Sequence, residues 1–323
     1  MTDSVSSTFT SIADITAARR RIAPLAKVSP LVDASAAAGR PLFLKCESLQ
    51  PGGAFKIRGA YNMISQLSDD ERRRGVITYS SGNHGQAVAI AARALGAPAV
   101  VVMPTTAPRI KIEGARHHGA EIILEGTTTL HRLARAEQEA RERGLTMVPP
   151  FDHEWIVAGQ GTVGLEILEQ LPQVATVLVP IGGGGLISGV AAAIKQTNPS
   201  VQVVGVEPAG AASMKASIDA GHIVTLERTH SIADGLMAVR PGSLNFAHVQ
   251  HFVDRIVTVD DEAIADAVIW TFTKSDVLAE PSGATAVAAA LTAEPAFEGP
   301  VVAVVSGGNL DPSELGKYRR RTE

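Results

Sequence analysis

The sequence predicts an α/β protein with two open, mainly parallel sheets. Apolar, β-branched runs alternate with helical segments along most of the chain, which is typical of parallel strands joined by right-handed crossovers. The 323 residues suggest about two domains, and 45% hydrophobic but only 4% aromatic residues favour a core of small and β-branched side chains. Because open α/β sheets bind ligands at the carboxyl ends of their strands, we expect a site in the cleft between the two sheets.

The first half of the chain carries the clearest alternation. Apolar residues at helical spacing predict a first helix from Ile12 to Ile22, just before Pro24. Three buried strands then alternate with three helices, and each helix is followed by a glycine, a common stop signal. The strands are predicted at Val76–Tyr79, Ala99–Met103 and Glu121–Leu124, and the helices at Gln86–Leu95, Arg109–His118 and Leu130–Arg143.

The alternation resumes after Pro149-Pro150. Strands are predicted at Thr176–Pro180, Val201–Val206 and Val301–Val305. The stretch from Thr229 to Asp254 shows no clear periodicity, and we interpret it as a long functional loop.

Composition excludes several classes of protein. The formal net charge of −4 gives no electrostatic footprint for nucleic acid. Cys46 is the only cysteine, so no intramolecular disulfide can form and a cysteine-based zinc site is not expected. No apolar run is long enough to cross a membrane, and the N-terminus lacks the pattern of a signal peptide. We therefore expect a soluble cytoplasmic protein.

Three glycine-containing motifs follow predicted strands. The Ser80–Gln86 motif opens a helix, where backbone N–H groups attract a carboxylate or phosphate. Gly182–Gly185 permits close backbone approach to a phosphate, but it is neither a dinucleotide fingerprint nor a P-loop. Ser306–Asn309 follows the last strand and is weak by itself. Each motif alone has a plainer interpretation as a helix cap or a turn.

The fourth motif places a lysine between a glycine turn and a helix. Lys56 follows Gly52-Gly53 and Phe55, and an aromatic neighbour that excludes water would lower the lysine pKa. A lysine so placed can form a Schiff base with an aldehyde. An isolated lysine in this position is more often a solvated surface residue.

Taken together, the four motifs resemble those of the fold-type-II pyridoxal-phosphate (PLP) enzymes, in the branch of threonine/serine dehydratases and serine racemases. The similarity covers nearly the whole chain, and the order and spacing of the motifs agree. It includes Ser29–Leu31, Lys45–Gln50, Ala158–Thr162, Ile232–Gly235 and Ser306–Asn309. The resemblance implies the tryptophan synthase β-like fold, with the active site in the interdomain cleft.

The resemblance also implies roles for individual residues. Lys56 would bond covalently to PLP and later act as a base at the substrate Cα, and Ser81 matches the residue that exchanges a proton on the opposite face. The cofactor would be bound by Phe55, Lys56, Asn83, Gly182, Gly183, Gly184, Gly185, Leu186 and Ser306. The substrate would be bound by Ser80, Ser81, Gly82, Asn83 and His84.

A metal site of the racemase branch is matched only in part. Glu207 and the carbonyl of Ala211 correspond to two of its ligands, but Ser213 stands where the second carboxylate would be. Because Mg²⁺ prefers charged oxygen ligands, losing one of them should weaken the site. A divalent ion, a monovalent ion and no ion all remain open.

The resemblance implies dehydration and deamination of a β-hydroxy amino acid to a 2-oxo acid and ammonia, with L-threonine and L-serine as default substrates. Serine racemisation and dehydration of 3-hydroxyaspartate or phenylserine are the enzymatic alternatives. A PLP-binding carrier or sensor is the alternative without catalysis. The side-chain pocket is not anchored by a motif, and its candidate lining is Asp152, His153 and the stretch from Gly235 to Ser243.

Family architecture places a small domain at residues 75–150 and a large PLP-binding domain at 1–74 plus 151–323. Only 14 residues follow Asn309, so we do not expect a C-terminal regulatory domain. The expected partner is a small amino-acid substrate, with neither nucleic acid nor membrane, and family precedent favours a homodimer.

Overall fold

The computed structural model describes residues 9–80, 82–107, 109–293 and 297–319, with Ile110 as backbone only. Within these ranges, ten strands form two sheets. The six-stranded sheet has the order β1-β2-β10-β7-β8-β9, and only β1 is antiparallel to its neighbour. Its strands are β1 (Leu31–Asp33), β2 (Leu42–Cys46), β7 (Thr176–Pro180), β8 (Gln202–Pro208), β9 (Arg255–Val259) and β10 (Val301–Val305).

The second sheet has four parallel strands in the order β5-β4-β3-β6. They are β3 (Val76–Tyr79), β4 (Ala99–Met103), β5 (Glu121–Leu124) and β6 (Thr146–Met147). Its strands all come from one continuous stretch, whereas the six-stranded sheet joins segments from both sides of that stretch. The prediction of an α/β fold with two mainly parallel sheets is confirmed.

Thirteen α-helices cover the sheets within the described residues. They are α1 (Ile12–Ile22), α2 (Ser35–Ala38), α3 (Lys56–Ile64), α4 (Asp69–Arg74), α5 (Asn83–Ala94), α6 (Arg109–His117), α7 (Thr129–Arg143), α8 (Glu154–Gln170), α9 (Gly185–Thr197), α10 (Ser213–Ala220), α11 (Ser243–Phe252), α12 (Asp261–Ser275) and α13 (Pro281–Thr292).

Helix ends follow local signals in the sequence. Ser11 and Asp14 form a capping box at the start of α1, and Ser68 and Glu71 form another at the start of α4. Gly144 ends α7 in the left-handed conformation, with φ +66°, as a glycine past a helix end favours. All six predicted strands and the four predicted helices are therefore present, with ends shifted by at most a few residues.

One predicted element is wrong. The stretch from Thr229 to Asp254 is not a long loop, because it holds a 3₁₀ turn at Asp234–Leu236 and the ten-residue helix α11. The helical period is hidden because polar Asn245 and His248 are among its buried side chains.

Three helices pack closely because glycines lie at their contacts. A Cβ on Gly159 of α8 would lie 2.7 Å from the carbonyl oxygen of Arg58 in α3, and one on Gly189 of α9 would collide with the backbone of Val157 and Gly161 in α8. Glycine is required at both places by this close backbone approach. No helix in the described parts of the chain is long and apolar enough to span a membrane.

Candidate functional site

Lys56 is the first residue of α3 and lies half-buried beside the chain that leads into α8. Its Nζ donates a 2.7 Å hydrogen bond to the carbonyl oxygen of Pro150 and lies 5.1 Å from the centre of the Phe55 ring. Burial penalises the ammonium form and lowers the pKa of Lys56 to about 8. The amine is therefore neutral in a sizeable fraction near neutral pH, as a nucleophile or base requires.

A buried ion cluster fixes the helix that carries Lys56. The guanidinium of Arg58 bonds to the carboxylates of Glu47 and Glu166 at 2.6–2.8 Å. Lys45 Nζ lies 2.5 Å from Glu166, and all four side chains are at most 3% exposed. Because buried charges need such compensation, the cluster joins α3 to β2 and α8 in one arrangement.

The glycine loop after β7 turns the amide N–H of Gly184 away from the segment that carries Gly242 and Asn245. The carbonyl of Gly183 accepts from Asn245 Nδ2 and from Gly242 N, both at 3.1 Å, so the opposed N–H of Gly184 faces the other side. A Cβ on Gly183 would collide with the ring of Phe151. Helix α9 then begins at Gly185, and the unpaired N–H groups of its first turn offer an anion site.

The carboxamide of Asn83 is held from two sides. Its Nδ2 donates to Glu280 Oε1 at 2.5 Å, and its Oδ1 accepts from Asn309 Nδ2 at 2.8 Å. Glu280 is 5% exposed, and burial raises the pKa of its carboxyl to about 7, although the bond from Asn83 opposes this shift. Asn83 lies at the start of α5, which packs on the four-stranded sheet. Its partners lie by the six-stranded sheet, because Glu280 precedes α13 and Asn309 follows β10.

Contacts between neighbouring segments join the motifs into a closed ring. Lys56 touches Pro150, and the next residue, Phe151, lies against Gly183. On the other side of the glycines, a Cβ on Gly182 would lie 3.1 Å from the carbonyl oxygen of Gly235.

The ring continues through Ser282, whose Oγ accepts from Gly235 N at 2.9 Å. The Oγ of the buried Ser306 lies 3.4 Å from the carbonyl oxygen of Ser282. The backbone carbonyl of Ser306 accepts from Phe55 N at 3.1 Å. The structure therefore brings together Phe55, Lys56, the Gly182–Gly185 loop and Ser306, which are far apart in the sequence.

The predicted substrate loop lies at the carboxyl end of β3. Ser80 Oγ accepts from Gly82 N at 3.2 Å, so this hydroxyl shapes the turn. The His84 ring is buried, its Nε2 lies 3.0 Å from the Val148 carbonyl, and burial lowers the pKa of this imidazole to about 3. A ring that stays neutral is not suited to exchange protons near pH 7, so His84 would take part through its backbone. Ser81 lies outside the described residues.

Comparison with known proteins gives the family. The family model described as "Pyridoxal-phosphate dependent enzyme" matches residues 22–307. The chain belongs to this family of PLP-dependent enzymes. The prediction of an enzyme from the branch of threonine/serine dehydratases and serine racemases is thereby confirmed.

Individual relatives come from both sides of that branch. An L-threonine ammonia-lyase of Thermotoga maritima is 46% identical over 279 residues, which make up 86% of this chain and 70% of that protein. A serine racemase of Oryza sativa is 44% identical over 322 residues, 96% of this chain and 94% of that one. The solved structure of processed threonine deaminase isoform 2 from Solanum lycopersicum has a TM-score of 0.92 and 39% identity, covering 98% of this chain and 93% of that one.

The residues of the site fit PLP. A lysine amine with a pKa lowered to about 8, a glycine loop in front of a helix N-terminus and a buried serine hydroxyl lie on segments that contact one another. The first turn of α9 carries no charged side chain, so the phosphate would be bound by backbone N–H groups. Lys56 would bond the cofactor, Gly182–Gly185 with Leu186 would hold its phosphate, and Asn83 and Ser306 would contact its ring.

The partial metal motif is arranged differently from an open site for a divalent ion. Both oxygens of Glu207 accept from backbone N–H groups at the start of α10, from Met214 at 2.9 Å and from Lys215 at 2.8 Å. Burial raises the pKa of Glu207 to about 7. Among the described residues, no group of three His, Cys, Asp or Glu side chains could hold a metal, and the buried Ser213 hydroxyl has no hydrogen-bond partner.

Two residues expected to line the side-chain pocket act as helix caps. Asp152 accepts from Ser243 N at 3.0 Å and from Leu244 N at 2.9 Å, and His153 Nδ1 accepts from Trp155 N at 3.1 Å. The sequence reasoning also missed Glu280 and Phe151, and it quoted Asn309 without a role. A carboxylate directly before a helix-starting proline, as in Glu280-Pro281, is the signal that could have indicated Glu280.

Proposed function

We propose that this enzyme dehydrates and deaminates a β-hydroxy amino acid, with L-threonine and L-serine as its substrates. The observation that carries the proposal is the half-buried Lys56 amine, whose pKa is lowered by burial and which donates a hydrogen bond to the Pro150 carbonyl beside the other predicted cofactor-binding segments. The Cα proton goes to this amine, and the β-hydroxyl leaves as water with one proton in exchange, so the elimination consumes no net proton. The released enamine tautomerises and is hydrolysed to a 2-oxo acid and ammonia.

PLP, when bound, supplies the electron sink that makes the Cα proton acidic. Lys56 then needs only to be near the Cα and to be neutral at working pH. Its pKa of about 8 supports this role, since the proton it takes up can be returned easily. The buried ion cluster supports it too, because it keeps α3 and therefore the amine in place.

Ser306 favours elimination over transamination. It would offer a neutral hydroxyl to the ring nitrogen, and that hydroxyl sits beside the Ser282 carbonyl rather than a carboxylate. A hydroxyl partner leaves the ring nitrogen largely uncharged, which limits stabilisation of negative charge at the Cα. Loss of the β-hydroxyl can then compete with return of the proton.

The loop after β3 would bind the substrate carboxylate. Gly82 and Asn83 stand at the N-terminus of α5, where free N–H groups and the helix dipole favour an anion. Lys111 adds positive charge nearby, because a Cβ on Gly82 would lie 3.6 Å from its Nζ. The similarity to the L-threonine ammonia-lyase of T. maritima supports the same substrate class.

A substrate panel tests this proposal. PLP-loaded protein is incubated with L-threonine, L-serine, 3-hydroxyaspartate and phenylserine, and 2-oxo acid and ammonia are measured. We expect equal amounts of both products from L-threonine or L-serine, and none with a Lys56→Ala variant. No 2-oxo acid from any of the four compounds would overturn the dehydratase assignment.

Racemisation of serine is the second candidate. It is supported by 44% identity to a rice serine racemase over 96% of this chain and by Ser81, which matches the second proton-exchanging residue of the racemases. Chiral chromatography after incubation with L-serine measures it. If the enzyme racemises serine, D-serine forms, and Ser81→Ala abolishes D-serine formation while PLP stays bound. D-serine formation that survives Ser81→Ala would refute the role of Ser81.

For the partial metal motif we propose a monovalent cation in preference to a divalent one. Glu207, the Ala211 carbonyl and the unpartnered Ser213 hydroxyl are oxygen ligands that bring one carboxylate between them. Such a weakly charged set suits a singly charged ion better than Mg²⁺. Activity and melting temperature should be higher in a K⁺ salt than in the salt of a bulky ammonium ion, and EDTA should change neither. A loss of activity with EDTA that Mg²⁺ restores would contradict the choice of a monovalent ion.

We further propose that residues 75–150 form a small domain that closes on a large domain of residues 1–74 and 151–323. The division is supported by the two sheets, one of which uses only strands between Val76 and Met147. The homodimer and the cytoplasmic location stay predictions, and light scattering of the purified protein measures the former.

A further inference from the structure

We propose that Asn309 is a positioning residue that sets the direction in which Asn83 donates to the cofactor. The two carboxamides are joined by a 2.8 Å hydrogen bond from Asn309 Nδ2 to Asn83 Oδ1. Asn309 does not need to touch PLP for this role. The inference rests on the proposed assignment of Asn83 as a cofactor ligand.

The orientation of Asn309 is fixed by a backbone carbonyl. Its Nδ2 donates a second 2.8 Å bond to the carbonyl oxygen of Gly52, which can only accept. The nitrogen of Asn309 must therefore face both Gly52 and Asn83. A Cβ on Gly53 would collide with Asn309 Oδ1, so the oxygen packs against the glycine turn that leads to Lys56.

The orientation of Asn83 follows from that of Asn309. Because both N–H groups of Asn309 are donated, the atom of Asn83 that faces it must be the acceptor Oδ1. Nδ2 of Asn83 then points the other way and gives one hydrogen to Glu280 Oε1. This result holds whether the Glu280 carboxyl is charged or neutral, because the Gly52 carbonyl alone settles it.

One donor of Asn83 remains after these bonds are counted. A carboxamide nitrogen carries two hydrogens, and Glu280 takes one of them. The second hydrogen has no partner among the described residues, and it would bond the phenolic oxygen of the cofactor, the atom that the family resemblance assigns to Asn83. If Asn309 did not hold the oxygen, rotation of the amide by half a turn would place an acceptor against that oxygen instead.

The arrangement also links three segments of the chain. Gly52 has φ +80° and Gly53 has φ +71°, so the turn before Lys56 depends on glycine, and Gly308 N donates to the Gly53 carbonyl at 2.9 Å. Asn309 therefore ties the lysine turn to the Asn83 loop on the opposite sheet. Asn309, the last residue of the motif Ser306–Asn309, therefore has a role of its own in orienting Asn83.

The test uses Asn309→Asp, which keeps the shape but puts an oxygen where the donating nitrogen stood. We expect the visible absorption of bound PLP to shift in the same sense as in Asn83→Ala, because the phenolic oxygen loses its donor in both. The dissociation constant of PLP should rise about ten- to a hundredfold, the loss expected for one hydrogen bond to a charged group. Asn309→Ala serves as the second variant, and Asn198→Asp, in the turn after α9, controls for the added charge.

The double variant Asn83→Ala/Asn309→Asp separates positioning from a general structural effect. If Asn309 acts through Asn83, the double variant binds PLP as weakly as Asn83→Ala alone. Additive losses, or a spectrum that Asn309→Asp leaves unchanged, would overturn the inference. If Asn83→Ala itself changes neither spectrum nor affinity, the assignment of Asn83 fails instead, and the 2-oxo acid measurement still decides the proposed reaction.

Discussion

At the scale of residues, the chemistry depends on a lysine whose charge is disfavoured by its surroundings. Lys56 has no carboxylate among the causes of its pKa shift, and desolvation alone lowers that pKa to about 8. An ordinary lysine has a pKa of 10.5, so it would be almost wholly protonated at pH 7. In the proposed reaction, this position therefore supplies an amine of which a larger fraction is neutral at pH 7 than in an ordinary lysine.

This shift predicts the pH dependence of cofactor uptake by the apoenzyme. Only the neutral amine attacks the aldehyde, so the rate of recombination with PLP should rise with pH and level off above about pH 8. Stopped-flow absorbance between pH 6.5 and 10 measures it, with free Nα-acetyl-lysine in the same buffers as the control. A rate that climbs in parallel with the free amine up to pH 10 would show that Lys56 is not desolvated.

At the scale of elements, glycines and buried charges decide how α3, α8 and α9 meet. Close backbone contact at Gly159 and Gly189 brings α8 against its two neighbours, and the cluster of Lys45, Glu47, Arg58 and Glu166 then fixes α3. Lys56 lies two residues before Arg58. The position of the reactive amine is therefore set by packing on the far side of its own helix.

Replacing one of these glycines should destabilise the protein. Gly189→Ala forces α8 and α9 apart, because its Cβ would collide with the Val157 carbonyl oxygen, and we expect a loss of about 3 kcal/mol in the free energy of unfolding. Gly316→Ala is the matched control, since nothing lies within 4 Å of a Cβ there. Urea unfolding measures both, and equal stability of the two variants would refute the close-contact argument.

The elements were largely predictable from the sequence, whereas the contacts between them were not. Apolar runs such as Ala99–Met103 and glycines such as Gly144 reveal strands and helix ends because their signals are local. The partners Arg58 and Glu166 are 108 residues apart, and a charged residue is by default expected to face solvent. Their buried contact therefore could not be predicted. Likewise Asn309 and Asn83 are 226 residues apart, so the motif Ser306–Asn309 could be noticed but its last residue could not be given a role.

At the scale of the whole molecule, one ion pair spans the cleft between the two sheets. Lys111 on α6 belongs to the side of the four-stranded sheet, and Asp234 lies in the 3₁₀ turn on the other side, with Nζ and Oδ2 2.7 Å apart. Lys111 is 22% exposed and Asp234 53%, so water weakens this pair. The pair is suited to bias closure of the cleft rather than to stabilise the fold.

Removing this pair should therefore affect substrate binding more than stability. Asp234→Asn, which breaks the pair but keeps the charge of Lys111 beside the substrate loop, should raise the KM for the amino acid by up to about fivefold, the ceiling for an exposed pair, and leave the Tm almost unchanged. Lys317→Met, which removes the exposed pair with Glu314, should leave KM as it is. Steady-state kinetics at two salt concentrations measures the effect, and a KM equal to that of the wild type would contradict a role in closure.

The central claim is that Lys56 is the residue that bonds the cofactor. The most direct test is to reduce the PLP-loaded enzyme with borohydride, digest it and locate the modified residue by mass spectrometry. The account predicts one labelled peptide, with the label on Lys56 and none on Lys45 or Lys111. A label on another lysine, or a protein that takes up PLP without any covalent label, would contradict it.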